Sequence, residues 1–308
     1  MRLLLLSDTH GHLDRVDALA KDCRAEAVLH AGDFGFYDDG SAERLESREL
    51  FLRVVHSHLS GPEKNRAKKL RGDALRDFVR ASLPLSDLGA WLRTGRGFAQ
   101  PTYAVWGNHE DGVVIANLLA GRRTVPHLTL LGVARHGPFR FFGLGGNLLP
   151  SLLGEDAPLD GGRGKVRANL GDVLRLLDLA GQREPGEVRV LVTHVSPGKE
   201  PLVSLLAAAL DADLTVSGHM GSPYGCVWDD FAVREPAEAE SRLAAARERL
   251  PEALRARLPS PSGAGGGARW YRGTFHVNLP DAPDGHAVLE LCDGRLRLGT
   301  TSVGLPLR

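Results

Sequence analysis

Short, mostly apolar runs recur along the chain, and each stops where polar or glycine residues signal a turn. Leu3–Leu6, Ala27–Leu29, Tyr103–Trp106, Val188–Val192 and Leu214–Val216 read as strands with little solvent exposure on either face. Between the first two, Leu13, Val16, Leu19, Ala20 and Cys23 recur at helical spacing. This strand–helix–strand start predicts a parallel pair joined by a right-handed crossover. Further strands are predicted at His127–Leu131, Phe139–Leu144, Phe275–Asn278, Ala287–Leu291 and Leu296–Thr300, the last two joined by an Asp293-Gly294 hairpin turn.

Two segments interrupt the rhythm. Ser41–Leu92 is long and helical in pattern, and Pro236–Leu258 places Leu243, Leu250, Leu254 and Leu258 on one stripe, with Pro251 opening a second short helix. Gly171–Ala180 reads as an amphipathic helix, Asn147–Lys165 as a loop near the strand ends, and Ser260–Ala268 as a flexible Gly/Ser-rich segment. With no internal repeat and no clean boundary, we expect one domain over 1–308, carrying helical insertions at about 41–95 and 235–268.

Composition narrows the function classes without choosing one. The 308 residues carry 38 basic and 38 acidic side chains, so no global field draws the protein to nucleic acid or membrane. Any nucleic-acid contact would need a local patch, and Lys64, Arg66, Lys68, Lys69 and Arg71 offer one. A solvated helix face explains the same stretch. Three scattered cysteines argue against a disulfide framework and a thiolate zinc site. The four-residue run Leu3–Leu6 is too short for a signal-peptide core or a membrane span, so the expected location is cytoplasmic.

The candidate chemistry sits beside the turn signals. Asp8 and His10, Asp33, Asn108, His194 and His219 bring carboxylate, amide and imidazole donors to the ends of separate strands. Spaced this way they cannot form one local loop; they converge only if a sheet brings its strand ends to one edge. Such a mixed N/O set suits manganese, iron or zinc better than calcium. Asp33 is anionic and could bridge two ions. Gly107 would let the backbone approach closely, leaving His109 beside the ions without binding them. The remaining histidines, His12, His30, His56, His58, His127, His136, His276 and His286, read as packed or surface residues.

Taken together, Asp8-x-His10, Gly32-Asp33, Gly107-Asn108-His109-Glu110, His194 and Gly218-His219 resemble the signature of the calcineurin-like metallophosphoesterase superfamily, from Leu3 to about Asn278. The resemblance implies an α/β protein of two stacked mixed β-sheets flanked by helices, a four-layer αββα sandwich. It implies two divalent transition metals, manganese foremost. Asp8 and His10 would hold the first, Asp33 would bridge, and Asn108, His194 and His219 would hold the second. His109 would protonate the leaving group.

One position departs from the pattern. Where the family usually has Gly-His-x-His, this chain reads Gly218-His219-Met220-Gly221, so a first-site ligand is missing. Three outcomes fit that departure: the ion keeps fewer protein ligands, a donor such as His12 or Glu110 substitutes, or the site holds one metal and acts slowly. The expected activity is hydrolysis of a phosphate ester by a metal-activated hydroxide, with phosphodiesters of nucleotide or nucleic-acid type favoured. A phosphomonoesterase or protein serine/threonine phosphatase is the alternative, and a weakened nucleotide- or nucleic-acid-binding protein the second.

Overall fold

The computed structural model describes residues 1–150, 153, 166–219, 226–228, 236–261 and 275–302. Strands β1 (Arg2–Leu6) and β2 (Ala27–Ala31) flank helix α1 (Asp14–Asp22). Four helices follow, α2 (Ser41–Arg44), α3 (Ser47–Val55), α4 (Gly61–Ala67) and α5 (Gly72–Ser82), before α6 (Leu88–Thr94) leads back to β3 (Thr102–Val105). Then come α7 (Gly112–Leu119), β4 (Leu128–Leu130), β5 (Val133–His136), β6 (Phe139–Leu144), α8 (Leu170–Asp178), β7 (Val188–Thr193), α9 (Leu202–Ala209) and β8 (Leu214–Ser217). The chain ends with β9 (Cys226–Trp228), α10 (Pro236–Glu248), α11 (Glu252–Arg255), β10 (Phe275–Asn278), β11 (Gly285–Cys292) and β12 (Arg295–Ser302).

The strands form two six-stranded mixed sheets, ordered β12-β11-β1-β2-β3-β4 and β5-β6-β7-β8-β10-β9. Side chains alternate between faces along each strand, and the buried clusters follow that alternation. Leu3, Leu5, Leu29, Val105, Phe139, Phe141, Val190, Val192 and Val216 share one apolar layer between the sheets. Leu4, Leu6 and Val28 turn the other way, onto Val16 and Ala20 of α1, Trp91 of α6 and Ile115 of α7. On the far side, Phe142, Leu144 and Leu191 meet α8, α9 and the stripe Leu243, Leu250, Leu254 and Leu258. The result is the αββα sandwich implied by the sequence. The apolar stripe of 236–258 is therefore core against the second sheet.

Two edge strands, β5 and β9, are not among those expected from the sequence. β5 pairs antiparallel with β6 at one edge, and Val133 and Ala134 are only half-buried there, so strand pairing rather than burial holds them. β9 closes the other edge against β10. The expected hairpin turn is present, with both Asp293 (φ 51°) and Gly294 (φ 71°) left-handed, as a two-residue turn of this hand requires. Most of the loop expected over 147–165, together with Met220, Gly221 and 262–268, lies outside the described residues.

Helices α2 to α5 form a satellite core of their own around Tyr37, Leu45, Leu50, Val54, Leu75 and Val79. The Ser41–Leu92 insertion is thus helical, as its periodicity predicts. Leu5 is fully buried between the sheets, whereas Leu296 of β12 is 39% exposed. Leu5→Ala is expected to destabilise by about 2–5 kcal/mol, and Leu296→Ala by about 0.5 kcal/mol or less, read as shifts in the urea midpoint.

Candidate metal centre

Six parallel strands across the two sheets end at one place. β1 leads to Asp8 and His10, β2 to Asp33, β3 to Asn108 and His109, β7 to His194, β8 to His219, and β10 to Asp281. The loops that follow remain laced together by backbone hydrogen bonds: Asp8 N–H to Gly32 O and His10 N–H to Asp33 O, both 2.9 Å, and Gly218 N–H to His194 O at 3.2 Å. Asp8, His10, Asp33 and His219 all adopt positive φ (53°, 51°, 47° and 61°). A left-handed residue at a strand end turns its side chain out of the pleat. Here that turn aims the donors at a common point.

Two donor sets result. Asp8, His10 and Asp33 bring one ligand atom each within 4.8 Å of one another, and Asp33, His194 and His219 do the same. Asp33 belongs to both. Its Oδ1 lies 3.6 Å from His194 Nε2 and accepts a hydrogen bond from His109 N–H at 3.1 Å. Gly107 is required at this approach, because a Cβ there would collide with the Asp33 carboxylate. At Gly32 (φ 96°), a Cβ would sit 2.6 Å from His194 Nδ1.

The hydrogen bonding leaves electron pairs pointing inward. His194 is fully buried, and its Nδ1 is 2.9 Å from Ala31 O. A carbonyl can only accept, so Nδ1 carries the hydrogen and Nε2 presents a bare lone pair. Nε2 has no hydrogen-bond partner among the described residues, and neither amide atom of Asn108 has one, although that residue is 1% exposed. Orphaned buried polar atoms are costly. A cation at this point would satisfy the two that offer electron pairs, His194 Nε2 and Asn108 Oδ1, so the donor set fits a divalent metal ion.

Electrostatics point the same way. Burial, then repulsion from Asp33, pushes the Asp8 carboxyl up to about 7. Burial also opposes charge on Asp33, but His194, His10, His109 and Arg53 around it outweigh that and hold it below the usual carboxylate range. Two carboxylates this close cannot both stay charged without a counter-ion. Burial drives His219 down to about 3, and lowers His194 as well, keeping both imidazoles neutral. Neutral imidazoles are the form that binds metal.

The residues around the donors have distinct tasks. Glu110 accepts from the backbone N–H groups of Phe34 (2.7 Å), Phe36 (2.5 Å) and Gly107 (3.3 Å), which ties the loop after β2 to the loop after β3. Burial and the charge of Asp33 raise its carboxyl to about 8 against the pull of those amides. Its oxygens are committed to backbone, so Glu110 is not the replacement ligand considered from sequence. His12 is not one either: its ring nitrogens face His58 Nε2 at 3.2 Å and His56 O at 3.2 Å.

That the insertion reaches the centre is not evident before folding. Glu49, Arg53 and His56 lie at i, i+4 and i+7 along α3 and its C-terminal cap, on one face. Glu49 Oε2 is 2.7 Å from His109 Nδ1, and Arg53 Nη2 is 3.3 Å from His10 Nδ1. His56 lies against the His10 ring, with centroids 3.8 Å apart. The usable signal was charged residues repeating at helical spacing on the face beside the apolar Leu50 and Val54. By contrast, the basic stretch is largely engaged locally. Lys64 and Arg71 donate to backbone carbonyls, and Arg66 covers the Phe78 ring. Lys68 and Lys69 are exposed.

No curated protein matches the chain. Among solved structures, a metallophosphoesterase from Sphaerobacter thermophilus aligns over 99% of this chain and 90% of its own at 12% identity, with a TM-score of 0.33. That superposition is too loose to bear on the site. The calcineurin-like phosphoesterase model, however, matches residues 1–223, from β1 past His219. That span is well over half of the chain and contains all six candidate donors and His109. The chain belongs to the calcineurin-like phosphoesterase family, whose members act on phosphate esters and generally depend on two metal ions.

Proposed function

We propose that this protein is a two-metal phosphodiesterase, with Asp8 and His10 on one ion, Asn108, His194 and His219 on the other, and Asp33 between them. The observation that carries the reading is the pair of donor sets sharing Asp33, ringed by the unpartnered His194 Nε2 and Asn108 amide. Manganese is the favoured occupant, with iron and zinc also suited to imidazole and carboxylate donors. When bound, such ions supply a nucleophile near neutral pH and offset charge on the phosphoryl oxygens.

The chain's own groups divide the remaining work. Arg53 is 4% exposed and has no carboxylate within ion-pair distance among the described residues. A buried guanidinium without an anion is costly, and a phosphoryl oxygen beside His10 would supply one. His109 faces Glu49 through Nδ1. A carboxylate only accepts, so Nδ1 carries a hydrogen and Nε2 is the atom that can pass a proton to the departing oxygen. Water adds at phosphorus, the ester P–O bond breaks, and the proton ends on the leaving alkoxide.

Two features favour diesters over monoesters. A positioned proton donor matters most for a poor alkoxide leaving group. A cleft of ≈ 630 Å³, lined by Asp8, His10, Arg15, His58 and Asp87 among others, adjoins the first donor set and gives room for a second ester substituent. The local pairing of the basic stretch leaves nucleic acid as one candidate diester among several.

Manganese-loaded protein is expected to turn over bis-p-nitrophenyl phosphate faster than p-nitrophenyl phosphate, and chelation should abolish both rates. The reverse preference would make the protein a monoesterase. No turnover, with nucleotide affinity surviving chelation, would make it a binding protein. Asp33→Ala should lose both ions and all activity, read by elemental analysis and initial rates.

His109→Ala should keep its metal content and lose about 10²–10⁴ in kcat on alkyl diesters. On p-nitrophenyl diesters, whose leaving group needs no proton, it should lose far less. Glu49→Gln should show the same leaving-group dependence to a smaller degree. Equal losses on both substrate types would remove His109 as the proton donor.

A further inference from the structure

A third donor set stands beside the first. His10, His56 and Asp281 bring one ligand atom each within 4.8 Å of one another. Asp281 Oδ2 is 3.6 Å from His10 Nε2 and 4.0 Å from His56 Nδ1. Metal–ligand bonds of about 2.0–2.2 Å place neighbouring ligand atoms about 3–4 Å apart. Neither contact is short enough to be a hydrogen bond. Three donors thus face one another at coordination spacing without satisfying each other.

The three come from separate parts of the fold. His10 follows β1, His56 caps α3 of the insertion, and Asp281 lies in the turn between β10 and β11. That turn is held to the centre, since Ala282 N–H donates to Asp8 O at 3.4 Å. His10 is common to this set and to Asp8, His10 and Asp33. The two sets therefore enclose adjoining space on the first-ion side, the side on which Gly221 leaves the chain one imidazole short. His56 and Asp281 remain accessible, with side chains 30% and 20% exposed, so an ion has a way in.

We infer that His56 and Asp281 supply the first ion with the donors that the Gly221 position lacks. The insertion and the β10–β11 turn then complete a shell begun by Asp8, His10 and Asp33. A carboxylate in place of a neutral imidazole adds negative charge to that shell, and so strengthens its hold on a dication. The inference rests on the two-ion reading proposed above.

The test is a calorimetric titration of the metal-free, full-length protein with manganese, with bound ions counted by elemental analysis after gel filtration. Wild type should take up two ions per chain. His56→Ala and Asp281→Asn should each weaken one ion tenfold or more and leave the other unchanged, whereas His219→Ala should weaken the other ion. Asp281→Asn preserves shape, and metal-free melting temperatures matching wild type show that the variants fold. Two ions of unchanged affinity in the His56→Ala, Asp281→Asn double variant would overturn the inference while leaving the two-ion reading intact. Fewer than two ions in wild type would remove that reading, and this inference with it.

Discussion

Asp8 and Asp33 are buried side by side where six strands end, surrounded by imidazoles that burial keeps neutral. Without a cation, one carboxylate must give up its charge, and the divergent shifts of the two record that conflict. On the ligand set proposed above, a divalent ion would turn the same arrangement from a liability into a cross-link that ties β1, β2, β3, β7 and β8 to one point. Apolar packing between the sheets brings the strand ends together, and the ions give the polar groups gathered there a reason to stay.

The geometry at those ends is itself strained. Four of the six candidate donors are non-glycine residues in the left-handed region, each at a cost of about 1–2 kcal/mol. Strain of this kind persists only where the surroundings over-determine it. The surroundings here are specific: the backbone bonds between the β1 and β2 loops, the Gly218 link to His194, and Glu110 gripping the amides of Phe34, Gly35, Phe36 and Gly107 across the β2 and β3 loops. Glu110 therefore acts on the chemistry at one remove. It holds Phe34, Phe36 and Gly107 in place, and through Gly107 it sets the distance between Asp33 and the peptide of His109.

Much of this was legible in the sequence because both signals are local. Strands buried on two faces read as continuous apolar runs, and the donors sit one to four residues past them. The interior strands of both sheets and the six candidate donors could be read that way. The edge strands β5 and β9 could not, since an edge is defined by its partner and not by its own apolar pattern. The surroundings of the centre were hidden for a related reason. Glu49, Arg53, His56 and Asp281 lie far from the motif residues along the chain, and only the folded insertion and the closing turn bring them near. His56, read from sequence as packed or surface-exposed, lies against His10. Glu110, considered as a substitute ligand, is occupied by backbone.

The insertion accordingly does more than lengthen the chain. Its apolar face, with Leu50 and Val54, closes a small core around Tyr37, while the adjoining face carries Glu49, Arg53 and His56 toward the metal centre. Burying Glu49 and Arg53 along one helix face, with His56 half-buried beyond them, costs free energy that a structural helix would avoid by placing leucines there. Glu49 has its partner in His109, whereas Arg53 and His56 lie against His10 with no anion bonded to them, which is the arrangement expected of groups that await a ligand. If the roles proposed for them hold, a shift of α3 would change proton donation, phosphoryl contact and the first ion's shell together, because all three ride on one helix. The satellite core that fixes α3 would then serve the chemistry, although none of its apolar residues touches a reacting atom.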